Sequence, residues 1–259
     1  MRTFGVTAKI ASLLVLGALL SGCSSDQPSP PVIKSAIAPI GHSQTNSRAP
    51  VLANHQLNLP ANSQELLGRL SVNDRKLVES FYGNYGESVL TFDNPREFEW
   101  MERHGYPMPD DVLQASRKSD AELREQFELG DPKAGFFLLD RITNRSDSVL
   151  NADESLFAER VLAVESPFSG YAYYHYYSGI KGEWAVALSG LLWADFRGDW
   201  RAKGYFRQLV NTGGPFQEKL GPGSIPSAYQ SLLATIRLSN PSLLSRPIDP
   251  RNLYWAGRR

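Results

Sequence analysis

Gly130-Asp131-Pro132-Lys133-Ala134-Gly135-Phe136-Phe137 closes one helix and opens the next. Gly130 supplies the left-handed residue at which helices commonly end. Asp131 is a cap whose side-chain oxygen can accept the first free amide hydrogens. Pro132 suits the first helical position, where its missing N–H costs nothing. Phe136, Leu139 and Ile142 then recur at helical spacing. Upstream, Ser119-Asp120-Ala121-Glu122 is a capping box leading into Leu123 and Phe127. Further upstream, Asn94-Pro95 pairs a cap with proline ahead of Phe98 and Met101, and Asp110-Asp111 caps a helix after Pro107 and Pro109.

Downstream the pattern continues. Asn151 or Asp153 caps a helix carrying Leu156, Val161 and Val164. Ser166-Pro167 opens another that runs through Tyr177, with Gly179 as its expected stop. Trp184, Leu188, Leu191 and Leu192 form the next apolar stripe, Gly198-Asp199 repeats the Gly130-Asp131 junction, and Ser227 to Leu238 reads as a last helix. Strand signals are weak: no long alternating run and no Asn-Gly or Asp-Gly hairpin turn occurs. The expected fold is therefore all-α.

The junctions recur at a near-fixed interval. Asp131-Pro132-Lys133-Ala134-Gly135-Phe136 aligns with Ser166-Pro167-Phe168-Ser169-Gly170-Tyr171, and Asp199-Trp200-Arg201-Ala202-Lys203-Gly204-Tyr205 follows with one residue inserted. The caps at 131, 166 and 199 lie 35 and 33 residues apart. Two short helices per such unit is the arithmetic of a helical-hairpin solenoid. The small residues near each helix start would let a neighbouring helix approach closely. Over about residues 94–238 the chain resembles tetratricopeptide or Sel1-like repeats, without their full consensus. The resemblance implies a solenoid; an irregular helical bundle with recurring caps is the alternative.

The N-terminus reads as a targeting segment. Arg2 and Lys9 supply positive charge, Ile10 to Leu20 is apolar and too short to span a bilayer, and Leu20-Ser21-Gly22-Cys23 follows. This order resembles the signal of bacterial lipoproteins. It implies a signal peptide over 1–22 and lipidation of Cys23, with acyl chains anchoring the protein to a membrane. Ser24, where an Asp would imply the inner membrane, points to the outer membrane and a periplasm-facing body. Residues 23–60 hold six prolines, many Ser and Asn and no aromatic residue, so a disordered tether of about 30–35 Å mean span is expected. An α-helical domain is expected over 61–259, with Tyr254 and Trp255 pinning the C-terminal tail.

Composition narrows the function classes. The chain has 259 residues, 42% hydrophobic, with 27 basic and 27 acidic residues and one cysteine. Balanced charge argues against nucleic acid as a partner, because phosphate binding needs a concentrated positive field. No His-Glu-x-x-His, no Gly-x-Ser-x-Gly and no phosphate loop occurs, so no metal, cofactor or catalytic residue is expected. Glu165-Ser166-Pro167-Phe168 resembles the Glu-Ser-x-Phe element of lytic transglycosylases, but the stretch those enzymes carry next is missing. Tyr171, Tyr173, Tyr174, Tyr176 and Tyr177 surround His175 on every side of one helix. Some of the five are expected at a binding groove, with an inter-repeat core as the alternative. The expected role is a protein-binding scaffold or adaptor among envelope proteins. A peptidoglycan-acting enzyme, or a regulator of one, and a periplasmic immunity protein are the alternatives.

Overall fold

The computed structural model describes residues 59–86, 89–145, 152–181, 183–212, 220–245 and 249–251. Cys23, nearly all of the expected tether, and Tyr254 and Trp255 lie outside the described residues. The chain divides into residues 1–50 and 51–259, and the described residues all lie in the second unit.

The described residues form helices and no strand. In chain order these are α1 (Ser63–Gly68), α2 (Val72–Asn84), α3 (Pro95–Arg103), α4 (Pro109–Ser116), α5 (Asp120–Glu128) and α6 (Pro132–Thr143). There follow α7 (Ala152–Leu162), α8 (Phe168–Tyr176), α9 (Trp184–Phe196), α10 (Trp200–Asn211), α11 (Ser224–Ser239) and α12 (Ser242–Ser245). None is long and apolar enough to cross a membrane.

The caps explain the starts. Asn94 Oδ1 accepts from Glu97 N at 3.0 Å, and Ser119 with Glu122 forms the capping box read from the sequence. The Asp131 and Asp199 junctions share one cap geometry; at Ser166 the same bond to the second residue on forms, but Pro167, already in helical conformation, stands before α8 rather than inside it. Asp131 Oδ1 accepts from Lys133 N at 3.0 Å, Asp199 Oδ1 from Arg201 N at 3.0 Å, and Ser166 Oγ from Phe168 N at 3.2 Å. Gly130 and Gly198 both take positive φ, 99° and 100°, which closes α5 and α9. Gly179 departs from expectation. The chain passes it in a π-helical turn, Tyr177–Lys181, and a side chain there would meet Thr143 Cγ2 at 2.9 Å. Gly179 thus serves close approach to α6 rather than termination.

Helix α8 is the centre of the body, packed by α6, α7 and α9. All of its residues but His175 are buried, as expected of a helix apolar on every side. Small residues permit this. A Cβ on Gly170 would lie 2.3 Å from the Gly190 carbonyl oxygen, so α8 and α9 touch backbone to backbone. Gly135 lies under the Phe127 ring in the same way, joining α6 to α5. Neighbour packing of α6 with α7, α8 with α9, and α6 with α8 gives the body its repeat-like character. At the N-terminal end, Ser63 exchanges hydrogen bonds with Phe92, and Leu59 already packs on the core.

Candidate functional site

The tyrosines are core. Tyr171 and Tyr176 are 0% exposed, and Tyr173, Tyr174 and Tyr177 are 6%, 8% and 6% exposed. Tyr173 packs on Tyr177 with ring centroids 4.5 Å apart, Tyr176 on Tyr177 at 4.9 Å, and Tyr174 on Tyr205 at 5.5 Å. Burial pushes all five hydroxyls above their ordinary value, Tyr176 to about 12. The expected groove-facing subset is therefore corrected: α7 on one side and α9 on the other cover the helix, and no tyrosine face is left over.

Tyr171 instead reaches a closed ionic knot. Its hydroxyl donates to Asp199 Oδ2 at 3.1 Å, as does that of Tyr106 at 2.5 Å. Arg251, wholly buried, donates to the same oxygen at 3.0 Å, to Glu97 Oε1 at 2.7 Å and to the Thr91 carbonyl at 2.6 Å. Arg201 reaches Glu97 at 2.7 Å. Burial works against the Arg251 charge, but Asp199, Tyr106 and Glu97 more than offset it and raise its pKa. Glu97 and Asp199 balance the two guanidinium groups in the buried part, and Asp93, at 3.4 Å from Arg201, adds a third carboxylate on the exposed side. The knot is a strut.

A cleft of about 190 Å³ lies elsewhere, between α2, α4 and α6. Three helical stripes build it: Leu77, Ser80, Phe81 and Asn84 from α2; Val112, Ala115 and Ser116 from α4; Phe137, Asp140 and Arg141 from α6, with Asn144 just past its end. Each stripe keeps the three- and four-residue spacing of one helix face. Leu77, Phe81, Val112 and Phe137 make apolar walls. Asp140 forms the floor, its side chain 12% exposed.

Asp140 Oδ1 accepts from Asn84 Nδ2 at 3.0 Å. His175 Nε2 lies behind it, 3.6 Å from the same oxygen and beyond hydrogen-bonding distance. The Tyr85 hydroxyl is buried against this carboxylate without a well-formed hydrogen bond, and its ring packs on His175 at 5.1 Å. Burial pushes the Asp140 carboxyl up to about 6, although contacts from Asn84, Tyr85 and Asn144 and the charge of Arg141 favour the anion. Burial holds His175 down at about 4, so its imidazole is neutral at ordinary pH. Arg141 is committed elsewhere, to Asp120 at 2.9 Å and to the carbonyls of Lys118 and Ala115. Among the described residues no lysine or arginine pairs with Asp140. The cleft thus presents a poorly solvated carboxylate that can hold a cation or take up a proton.

Glu165 is exposed, and its backbone carbonyl accepts from Arg197 Nη2 at 3.0 Å. His104 stacks on Trp100. No group of three His, Cys, Asp or Glu residues among those described is placed to hold a metal ion. Asp140 escaped the sequence reading because it was hidden in the run Phe136 to Ile142. The usable signal was a lone acid in a buried stripe, with Asn84 at the matching place on another helix. Compared with protein-family models, curated proteins and solved structures, the chain matches none.

Proposed function

We propose that this chain is an outer-membrane-anchored, periplasm-facing lipoprotein whose helical body is a protein-binding scaffold or adaptor in the cell envelope. The observation that carries the binding part is the α2/α4/α6 cleft, with apolar walls around a polar floor and a mouth at the surface. Its volume is below the roughly 300–1,000 Å³ of small-molecule sites and suits one inserted side chain. The location rests on Arg2, Lys9, the apolar run to Leu20, and Leu20-Ser21-Gly22-Cys23. Envelopes cross-linked and purified through the wild-type chain should yield a partner that Leu77→Glu loses and Leu238→Glu keeps. Leu77 is at the cleft and Leu238 is exposed on α11. Equal capture by both variants would remove the cleft as the binding site.

A second reading, an enzyme acting on cell-wall glycan or a regulator of one, is favoured by Asp140. A buried carboxylate with a raised pKa beside a polar group suits general acid–base work. Glycoside hydrolysis ordinarily uses two carboxylates flanking the bond, and Asp140 is the one carboxylate lining the cleft among the described residues. Binding therefore comes first. Release of soluble fragments from purified peptidoglycan by the wild type, abolished in Asp140→Asn, would reverse that order.

A further inference from the structure

We infer that the α2/α4/α6 cleft is a receptor for a lysine side chain of a partner protein, with the Asp140 carboxylate as the counter-ion for its ammonium group. This rests on reading the cleft as the docking site and names what enters it.

Asp140 lies at the floor of a cleft with apolar walls, and among the described residues no lysine or arginine forms a direct ion pair with it, although the charge of neighbouring Arg141 favours its anion. The nearest candidate, Arg141, is held away by Asp120 and two backbone carbonyls. A buried carboxylate without a directly bound counter-ion is a costly arrangement, and a cation brought in from outside relieves it. The neutral His175 cannot do so from within.

Leu77, Phe81, Val112 and Phe137 surround the path to the floor. An unbranched alkyl stem fits such walls while its charged end goes on to the carboxylate. One Asp140 oxygen already accepts from Asn84. The two-pronged grip that a guanidinium group prefers is thus compromised, whereas a point-like ammonium needs only the remaining oxygen and nearby amides. Asn84 and Asn144 line the same space. Leu77, 40% exposed at the mouth, offers apolar surface to the chain that would carry the lysine.

The groups facing Asp140 are Asn84 at the end of α2 and Tyr85 just after it, Arg141 on α6 and Asn144 just after it, and His175 on α8; Ser116 of α4 is uncharged. Tyr85 is raised well above its ordinary value and stays neutral. Of Asp140, His175 and Tyr85, Asp140 is then the one that changes charge between pH 5 and 9, and binding should strengthen as pH rises through about 6 and level off above it.

The test uses the full-length chain in detergent micelles, titrated calorimetrically with Nα-acetyl-lysine methylamide, its norleucine counterpart and n-butylammonium. The blocked lysine should bind saturably, norleucine about tenfold or more weaker, and Asp140→Asn should lose about tenfold or more of the lysine affinity. Ser116→Lys, at the exposed rim, should occupy the cleft with its own ammonium and block the added ligand, which keeps the test available if Asp140→Asn does not fold. Equal binding of lysine and norleucine, unchanged binding by Asp140→Asn, or no saturable lysine binding at about 10 mM would overturn the inference. Butylammonium binding where blocked lysine does not would overturn the protein source. Partner capture from cross-linked envelopes is read separately: capture that survives without lysine binding would leave the scaffold reading in place and remove only this inference.

Discussion

Asp140 and His175 are displaced from their ordinary values in opposite directions, and stability should record both. Asp140, at about 6 against an ordinary 3.8, holds more protons folded than unfolded between those values. Its contribution therefore falls as pH rises through that window. His175, at about 4 against 6.5, holds fewer protons folded than unfolded, so its contribution is lost as pH falls from about 6.5 to 4. In the wild type the two slopes oppose each other between about pH 4 and 6. Relative to wild type, Asp140→Asn should lose stability on acidification from about pH 6 to 3.8. His175→Gln should lose it on alkalinisation from about pH 4 to 6.5. Each difference should approach about 1.4 kcal/mol per pH unit, measured by urea unfolding across pH. Parallel curves for all three proteins would mean that the pair does not titrate in this window.

At the scale of elements, the small residues at the repeated junctions have unequal duties. Gly170→Ala should be severely destabilising, by about 1–3 kcal/mol or more, because the added Cβ meets the Gly190 carbonyl oxygen at 2.3 Å, where α8 and α9 touch. Gly204→Ala meets nothing within 4 Å and should be neutral or stabilising by up to about 1 kcal/mol. In the third unit Ala202, 0% exposed, stays packed like Ala134 and Ser169 at the matching position of the other units, and the glycine alone is released. Thermal unfolding of the two variants side by side measures the contrast; similar midpoints would refute it. At the α5–α6 junction, Gly130→Val should cost more than Gly130→Ala, since φ is 99° and a β-branched side chain tolerates that region least.

At the scale of the molecule, Arg251 fastens the end of the described chain to its middle. It joins Glu97 of α3 to Asp199 at the start of α10, its amide donates to the Gly198 carbonyl at 2.9 Å, and Trp100 Nε1 holds the Asp249 carbonyl at 2.7 Å. Arg251→Ala would leave two buried carboxylates with one guanidinium group between them, and should cost about 3–5 kcal/mol in denaturant unfolding. A loss below about 1 kcal/mol would show that Arg201 or water takes over. Cys23→Ala tests the proposed anchor. The variant should accumulate as an unprocessed precursor, and normal processing with outer-membrane fractionation would refute the lipoprotein reading.

The caps and their spacing were legible in the chain because capping is local. Asn94, Ser119, Asp131 and Asp199 each bind an amide two or three residues away, so the residue types alone set where helices start. The all-α class followed from those starts, and Gly130 and Gly198 from the left-handed turns that must precede them. The tertiary structure decided what could not be local. Whether five tyrosines face a groove or a core depends on which helices flank α8, and the contact of Gly170 with Gly190 brings α9 close enough to bury that side. Glu97 and Arg251 meet across 154 residues, and Asn84 and Asp140 across 56. No spacing rule joins residues so far apart. Only the packing of α2, α4 and α6 turns three ordinary amphipathic stripes into a cleft with a buried carboxylate at its floor, because burial is a property of neighbours and not of the residue itself.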